Sequence, residues 1–311
     1  MLGLMLLPAI FFGWSLGAND ASNIFGPAVS TGLVRFRTAA IVSALFILIG
    51  AVVGGSRGLE TISSITDHSM LSAAVSALSA ALAMTLMTRL GLPVSASQAM
   101  VGSILGIGIL TGNVQWHVLV RVFLAWLGTP IGGLLFGFIG YHFFSVFFRK
   151  IRSLYIQDIT LKIAAVVIGA YGAYALGANN VGNVTGVFAG IIPVEQAALI
   201  GGLSIGLGVV TYSKRVMLTV GKQILALDHF ASVIAVLGMS FTVWVYSIVG
   251  VPVSTSQAIV GAVIGAGLAR GSRVGDKRVL GRIALGWIQT PLIAGAVSAS
   301  IYSLVRLIER L

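Results

Sequence analysis

Asp20 is the first residue whose type and place call for chemistry, because it stands in the middle of an apolar stretch. The other seven acidic residues, Glu60, Asp67, Asp158, Glu195, Asp228, Asp276 and Glu309, fall in or beside expected loops. An ionisable group inside an apolar span is costly unless it is paired or wetted, which marks it as functional. Asn19 just before it and Asn23 about one helical turn after it add amide oxygens, and Gly17 and Gly26 would let the backbone unwind and expose its carbonyls. A carboxylate among amide and backbone oxygens is a ligand set for a hard cation. A second motif runs Pro93-Val94-Ser95-Ala96-Ser97-Gln98. Proline disfavours helix at the residue before it and suits a first helical turn, so Ser95, Ser97 and Gln98 are expected at a helix N-terminus. Exposed N–H groups and the positive end of the helix dipole favour an anion there.

Both motifs occur twice. Gly17-Ala18-Asn19-Asp20-Ala21-Ser22-Asn23 recurs as Gly177-Ala178-Asn179-Asn180-Val181-Gly182-Asn183, at an offset of 160. The proline motif recurs as Pro252-Val253-Ser254-Thr255-Ser256-Gln257, at an offset of 159. Asp67-His68 matches Asp228-His229, and Arg121, Trp126 and Thr129-Pro130 match Arg282, Trp287 and Thr290-Pro291, all at 161. Four matches in one order make the chain a duplication. A lone serine N-cap would explain one copy of Ser-x-Ser-Gln. The repeated cluster points instead to a ligand held by Ser95, Ser97 and Gln98 with Ser254, Ser256 and Gln257.

The elements that must carry these motifs are membrane helices. Of 311 residues, 57% are hydrophobic and 9% charged, against about 25% charged in a soluble domain. Glycine is frequent, at 40 residues, and cysteine is absent, which suits close or interrupted membrane helices and excludes disulfides and thiolate metal sites. At about 20 residues per span, the apolar runs read as crossings over 4–34, 38–56, 70–88, 93–112 and 118–148, then 161–192, 197–212, 230–249, 252–269 and 279–306. The first and last run of each set exceed one plain span, so a break is expected at the Gly-Ala-Asn motif or at the Thr-Pro step. The N-terminal stretch up to Ser15 reads as the first half of a real span and not as a cleaved signal.

An odd number of crossings per half turns the second half over, so the fold expected is all-α and polytopic, with two inverted-topology repeats and broken helices. The first repeat covers 1–148, a short cytoplasmic linker 149–162 and the second repeat 163–311. With both termini outside, fourteen of the 19 lysines and arginines fall on the cytoplasmic side, leaving Arg57, Arg121, Arg306 and Arg310 outside and Arg282 just beyond a cytoplasmic stretch. The positive-inside rule therefore supports N-out and C-out, and the net charge of +11 is a topology signal, with no nucleic-acid partner implied.

The remaining pairs read as structural. Asp67 and Asp228 precede apolar runs as expected N-caps, with His68 and His229 interfacial. Arg121 and Arg282 read as snorkelling residues. Thr129 and Thr290 mark kinks and are candidates to line the site, and the tryptophans read as interfacial or packing aromatics. His-Glu-x-x-His, the P-loop lysine motif and Gly-x-Ser-x-Gly are all missing, so an enzyme is not expected.

Two copies of Gly-Ala-Asn-Asp/Asn, each followed by Pro-Val-Ser-x-Ser-Gln, resemble the inorganic phosphate transporter (PiT) family over essentially the whole chain. The resemblance implies a secondary active symporter in the cell membrane, moving inorganic phosphate with sodium by alternating access, without a cofactor and as a homodimer. By that resemblance Asn19, Asp20, Asn23, Asn179, Asn180 and Asn183 would hold sodium. Ser95, Ser97, Gln98, Ser254, Ser256 and Gln257, with Asn19 and Asn179, would hold phosphate. The chain departs from the family pattern in three places: Asn180 stands where an aspartate is common, Ser97-Gln98 and Ser256-Gln257 where Thr-His is common, and the linker is short. A permease for sulfate or a related oxyanion, with protons as an optional coupling ion, is the alternative within the same fold, and an anion channel the alternative of a different class.

Overall fold

The computed structural model describes residues 2–89, 94–223, 227–272 and 277–309. Pro93 and the side chain of Arg282, both singled out above, lie outside the described residues. The chain folds into helices: α1 (Leu2–Ser30), α2 (Phe36–Gly54), α3 (Ser56–Ser63), α4 (Met70–Arg89), α5 (Ala96–Thr111), α6 (Trp116–Phe148), α7 (Leu154–Thr185), α8 (Val194–Gln223), α9 (His229–Val249), α10 (Thr255–Ala269) and α11 (Lys277–Ile308). A short 3-10 turn, Gly186–Phe188, follows α7. Seven of the described helices are long and apolar enough to cross a membrane. Two shorter apolar helices, α5 and α10, have 16 and 15 residues. At 1.5 Å per residue they reach only about 24 and 22 Å, short of a hydrocarbon core about 30 Å thick. The sequence runs 93–112 and 252–269 are therefore not full crossings by length. The eight-residue α3 lies between the second and third apolar runs and has no counterpart among them.

The expected breaks fall elsewhere. α1 runs unbroken through Gly17–Asn23, α7 through Gly177–Asn183, and α6 and α11 run through Pro130 and Pro291. The glycines of the Gly-Ala-Asn motifs serve close packing and not unwinding. A Cβ at Gly17 would collide with the carbonyl oxygen of Ile205 on α8, and one at Gly177 with that of Ile47 on α2. Small residues let two helix backbones touch, the principal source of helix association where lipid removes the hydrophobic drive. The Thr-Pro steps stay helical, and the hydroxyls of Thr129 and Thr290 donate to Ala125 O and Gly286 O on their own helices, each at 2.6 Å. The real interruptions are the proline motifs, which separate α4 from α5 and α9 from α10.

Packing joins the two halves of the chain. α1 lies against α8 and α2 against α7, while α5 lies against α11 and α6 against α10. α4 packs on α1, α5 and α11, and α9 on α6, α7 and α10. Gly133 and Gly137 of α6 face the carbonyls of Ala258 and Ala262, and Gly102 of α5 faces that of Pro291. Large apolar side chains such as Leu124, Leu127 and Ile131 point outward from α6, as a lipid-facing surface requires. Polar residues gather inside, where α1, α5, α7 and α10 converge.

Candidate functional site

Asp20 is 1% exposed and is the only charged side chain among the buried described residues. Its Oδ2 accepts a hydrogen bond from Thr255 Oγ1 at 2.8 Å, and its Oδ1 is buried with no partner. Thr255 is the first residue of α10, so the carboxylate sits beside the positive end of that helix dipole. One turn further along α1, the Nδ2 of Asn23 is likewise buried without a partner. Asn19 is only partly buried and has a partner of its own.

The corresponding stretch of α7 is fully buried. Asn179 grips the extended segment between α9 and α10 from both sides: its Nδ2 donates to Val251 O at 3.0 Å and its Oδ1 accepts from Val253 N at 2.9 Å. That backbone needs such partners because no helix supplies them. Asn183 Nδ2 donates to Asn180 Oδ1 at 3.0 Å, leaving Asn180 Nδ2 and Asn183 Oδ1 without partners.

The proline motifs form the other wall. Ser95 caps α5 by accepting from Gln98 N at 3.3 Å, and Ser254 caps α10 by accepting from Gln257 N at 3.2 Å. These bonds are the serine N-caps that the motif allowed. They do not exhaust it. Ser95 Oγ and Ser97 Oγ lie 3.1 Å apart. Ser256 Oγ donates to Val94 O at 2.6 Å, so the two motifs meet in space. Gln98 and Gln257 are 3% and 4% exposed, and the Oε1 of each is buried without a partner.

Buried polar atoms are normally satisfied. Here unpartnered atoms of Asp20, Asn23, Asn180, Asn183, Gln98 and Gln257 occur on four packed helices, and each amide can offer both a donor and an acceptor. Among the described residues no group of three or more His, Cys, Asp or Glu could hold a metal ion. A cation here would be held by one carboxylate with neutral oxygens, and an anion by N–H groups, hydroxyls and two helix N-termini.

One end of α9 is fastened. Arg57 Nη1 of α3 donates to Ile248 O, Arg121 Nη2 of α6 to Val249 O at 3.0 Å, and Thr61 Oγ1 of α3 to Gly250 O at 2.6 Å. Arg121, exposed near the start of α6, thus also serves as a C-cap for another helix. Near the opposite end of α9 lies a small pocket lined by Ile24, Pro27 and Ala28 of α1, Ile168 of α7, and His229 and Ser232. Asp228 caps α9 by accepting from Ala231 N at 2.7 Å and pairs with Arg270 at 3.1 Å. Asp67 is not a cap, because Ser69 takes that place at α4 while Asp67 accepts from Asn113 Nδ2 at 2.6 Å. Thr255, Arg57 and Thr61 escape a reading of the sequence as site or gate residues, since nothing in their local spacing signals partners 189 to 235 residues away. Thr129 and Thr290 give their hydroxyl protons to carbonyls of their own helices.

Comparison with known proteins identifies the family of the chain as a whole. The chain is 29% identical over 396 residues to a Pyrococcus horikoshii protein provisionally named phosphate permease PH0640, covering 98% of each. It is 30% identical over 307 residues to the sulfate permease CysP of Bacillus subtilis, covering 96% of this chain and 86% of the relative. A solved structure described as "The sodium-dependent phosphate transporter" superposes with a TM-score of 0.86 at 26% identity, covering 99% of both chains. The model of the phosphate transporter family matches residues 16–298, a family of transporters and not of enzymes. With its duplicated motifs brought together in one buried polar cluster, the chain belongs to the phosphate transporter family.

Proposed function

We propose that the chain is a multi-pass symporter of the cell membrane that carries inorganic phosphate with sodium by alternating access. The observation that carries this is Asp20, buried, with one carboxylate oxygen fixed by Thr255 and the other without a partner, on one of four packed helices that carry unpartnered buried amides. A phosphate brought beside that carboxylate alone is repelled. A sodium ion between them turns repulsion into attraction, and by linkage each ion then raises the affinity for the other. The structural neighbour, a sodium-dependent phosphate transporter, supports the same pairing of ions.

Two inverted repeats fit the packing. The contact of α1 with α8 is the counterpart of that of α7 with α2 under the offset of about 160, as the contact of α5 with α11 is of that of α10 with α6. The number of crossings per half is odd when α4 and α5 both cross or when neither does, and inversion requires one of these two cases. The distribution of lysine and arginine supports both termini outside. The fastened end of α9 suits a state closed on that side of the site. The family resemblance adds a homodimer.

Sulfate is a second reading, favoured by the 30% identity to a sulfate permease. The test is uptake of radiolabelled phosphate and, separately, sulfate into proteoliposomes with and without an inward sodium gradient. Sodium-driven phosphate accumulation, largely abolished by Asp20→Asn, is the expected result. Sulfate uptake alone moves the substrate assignment, and uptake indifferent to sodium removes the role given to Asp20.

A further inference from the structure

The two halves of the site are not equal, and their differences come as a pair. Asp20 on α1 is met by Thr255 at the start of α10. Under the internal offsets of 160 and 159, the counterpart of Asp20 is Asn180 and the counterpart of Thr255 is Ala96. The matching helices also face one another, α7 against α5 as α1 against α10. Where the first half carries an acid and the hydroxyl that holds it, the second therefore carries an amide and a methyl group. All four side chains are 1% exposed, so no solvent compensates for what the second half lacks.

The chemistry of the two halves differs accordingly. In the first, Thr255 ties down Oδ2 and leaves Oδ1 as a fixed, unpartnered negative oxygen, while the hydroxyl keeps lone pairs of its own. In the second, Asn180 Oδ1 is already occupied by Asn183 Nδ2, and the atom left unpartnered is the donor Nδ2. A free donor repels a cation and attracts an anion oxygen. Ala96 offers nothing to either.

We infer that the halves have diverged as a unit: Asp20 with Thr255 forms the single cation site, Thr255 being the positioning residue of its carboxylate, and Asn180 with Ala96 forms a half-site converted to bind the anion. This deepens the proposed symport and rests on it. With one acid and one partner hydroxyl where two of each would make two equivalent sites, this chain moves one cation with each anion. The converted half supplies a neutral donor to the oxyanion in place of a second sodium ion.

The test is equilibrium binding of radiolabelled sodium to the purified full chain, alongside oxyanion uptake in proteoliposomes. The native chain is expected to show a single saturable sodium site. Thr255→Ala weakens it roughly 10- to 100-fold, the usual effect of removing a hydrogen bond that orients a ligating carboxylate, and Thr255→Ser restores it. The double substitution Asn180→Asp with Ala96→Thr creates a second sodium site and steepens the sodium dependence of uptake. Thr255→Ala folded but unchanged in sodium affinity overturns the positioning role. A native chain that already binds two sodium ions, or a double variant that folds, binds oxyanion and gains no sodium, overturns the converted half-site. In both cases sodium-driven uptake by the native chain leaves the symport reading standing. Native uptake without any response to sodium overturns both.

Discussion

The hydroxyl of Ser256 donates to the carbonyl of Val94 across 2.6 Å, a residue 162 positions away in the chain, and so joins the two copies of one motif. Both residues are buried, and Val94 belongs to extended backbone that no helix satisfies. Ser256→Ala leaves that carbonyl without its donor, at a cost of about 1–3 kcal/mol. The expected outcome is a lower melting temperature in detergent together with weaker oxyanion uptake. A variant with native melting and native uptake would show that the link between the motifs is dispensable.

The fastening of α9 should resist opening at that end. Arg57, Thr61 and Arg121 hold three successive carbonyls, those of Ile248, Val249 and Gly250. Since the chain has no cysteine, a single Ser247→Cys reporter, buried in the native fold, can be followed alone. Adding Arg121→Ala removes a hydrogen bond from a charged donor, worth about 1.5–3 kcal/mol, and should speed maleimide labelling of the reporter by on the order of tenfold. Equal labelling rates would dissociate Arg121 from opening.

Close packing at the Gly-Ala-Asn motifs makes a steric prediction. Gly17→Ala and Gly177→Ala each drive a methyl group into the backbone carbonyl of a neighbouring helix, Ile205 and Ile47 respectively. Overpacking against backbone costs about 1–3 kcal/mol or more. Both variants should melt lower than the native chain, whereas Gly3→Ala, with open space around the added methyl, should not. A native-like Gly177→Ala would mean that α2 and α7 can separate without loss.

His68, in the segment between α3 and α4, is pushed down from its ordinary value of 6.5 to about 4 by burial, with Asp67 opposing the shift. Below pH 6.5 the unfolded chain takes up a proton that the folded chain refuses. Stability is therefore expected to fall as the pH drops from 6.5 toward 4, and to level off below. His68→Asn should flatten this part of a melting-temperature profile measured across that range. Parallel profiles would assign the acid sensitivity elsewhere.

The class of the protein and most residues of its candidate site were legible without any structure. Charge scarcity, long apolar runs and the duplicated motifs require no partner to be read, because hydropathy and repetition are local properties of the chain. Spacing likewise placed Ser95 and Ser254 at helix starts, since proline restricts the backbone around it. Which contacts each motif makes was decided by packing. Glycine at Gly17 was compatible with unwinding or with contact, and only the approach of α8 selected contact. Asp67 and Asp228 look alike in sequence, yet Asn113 claims one while the other caps a helix. The pairing of Asp20 with Thr255 spans 235 residues. No helical period reaches that far, and only the packing of α1 against α10 creates it.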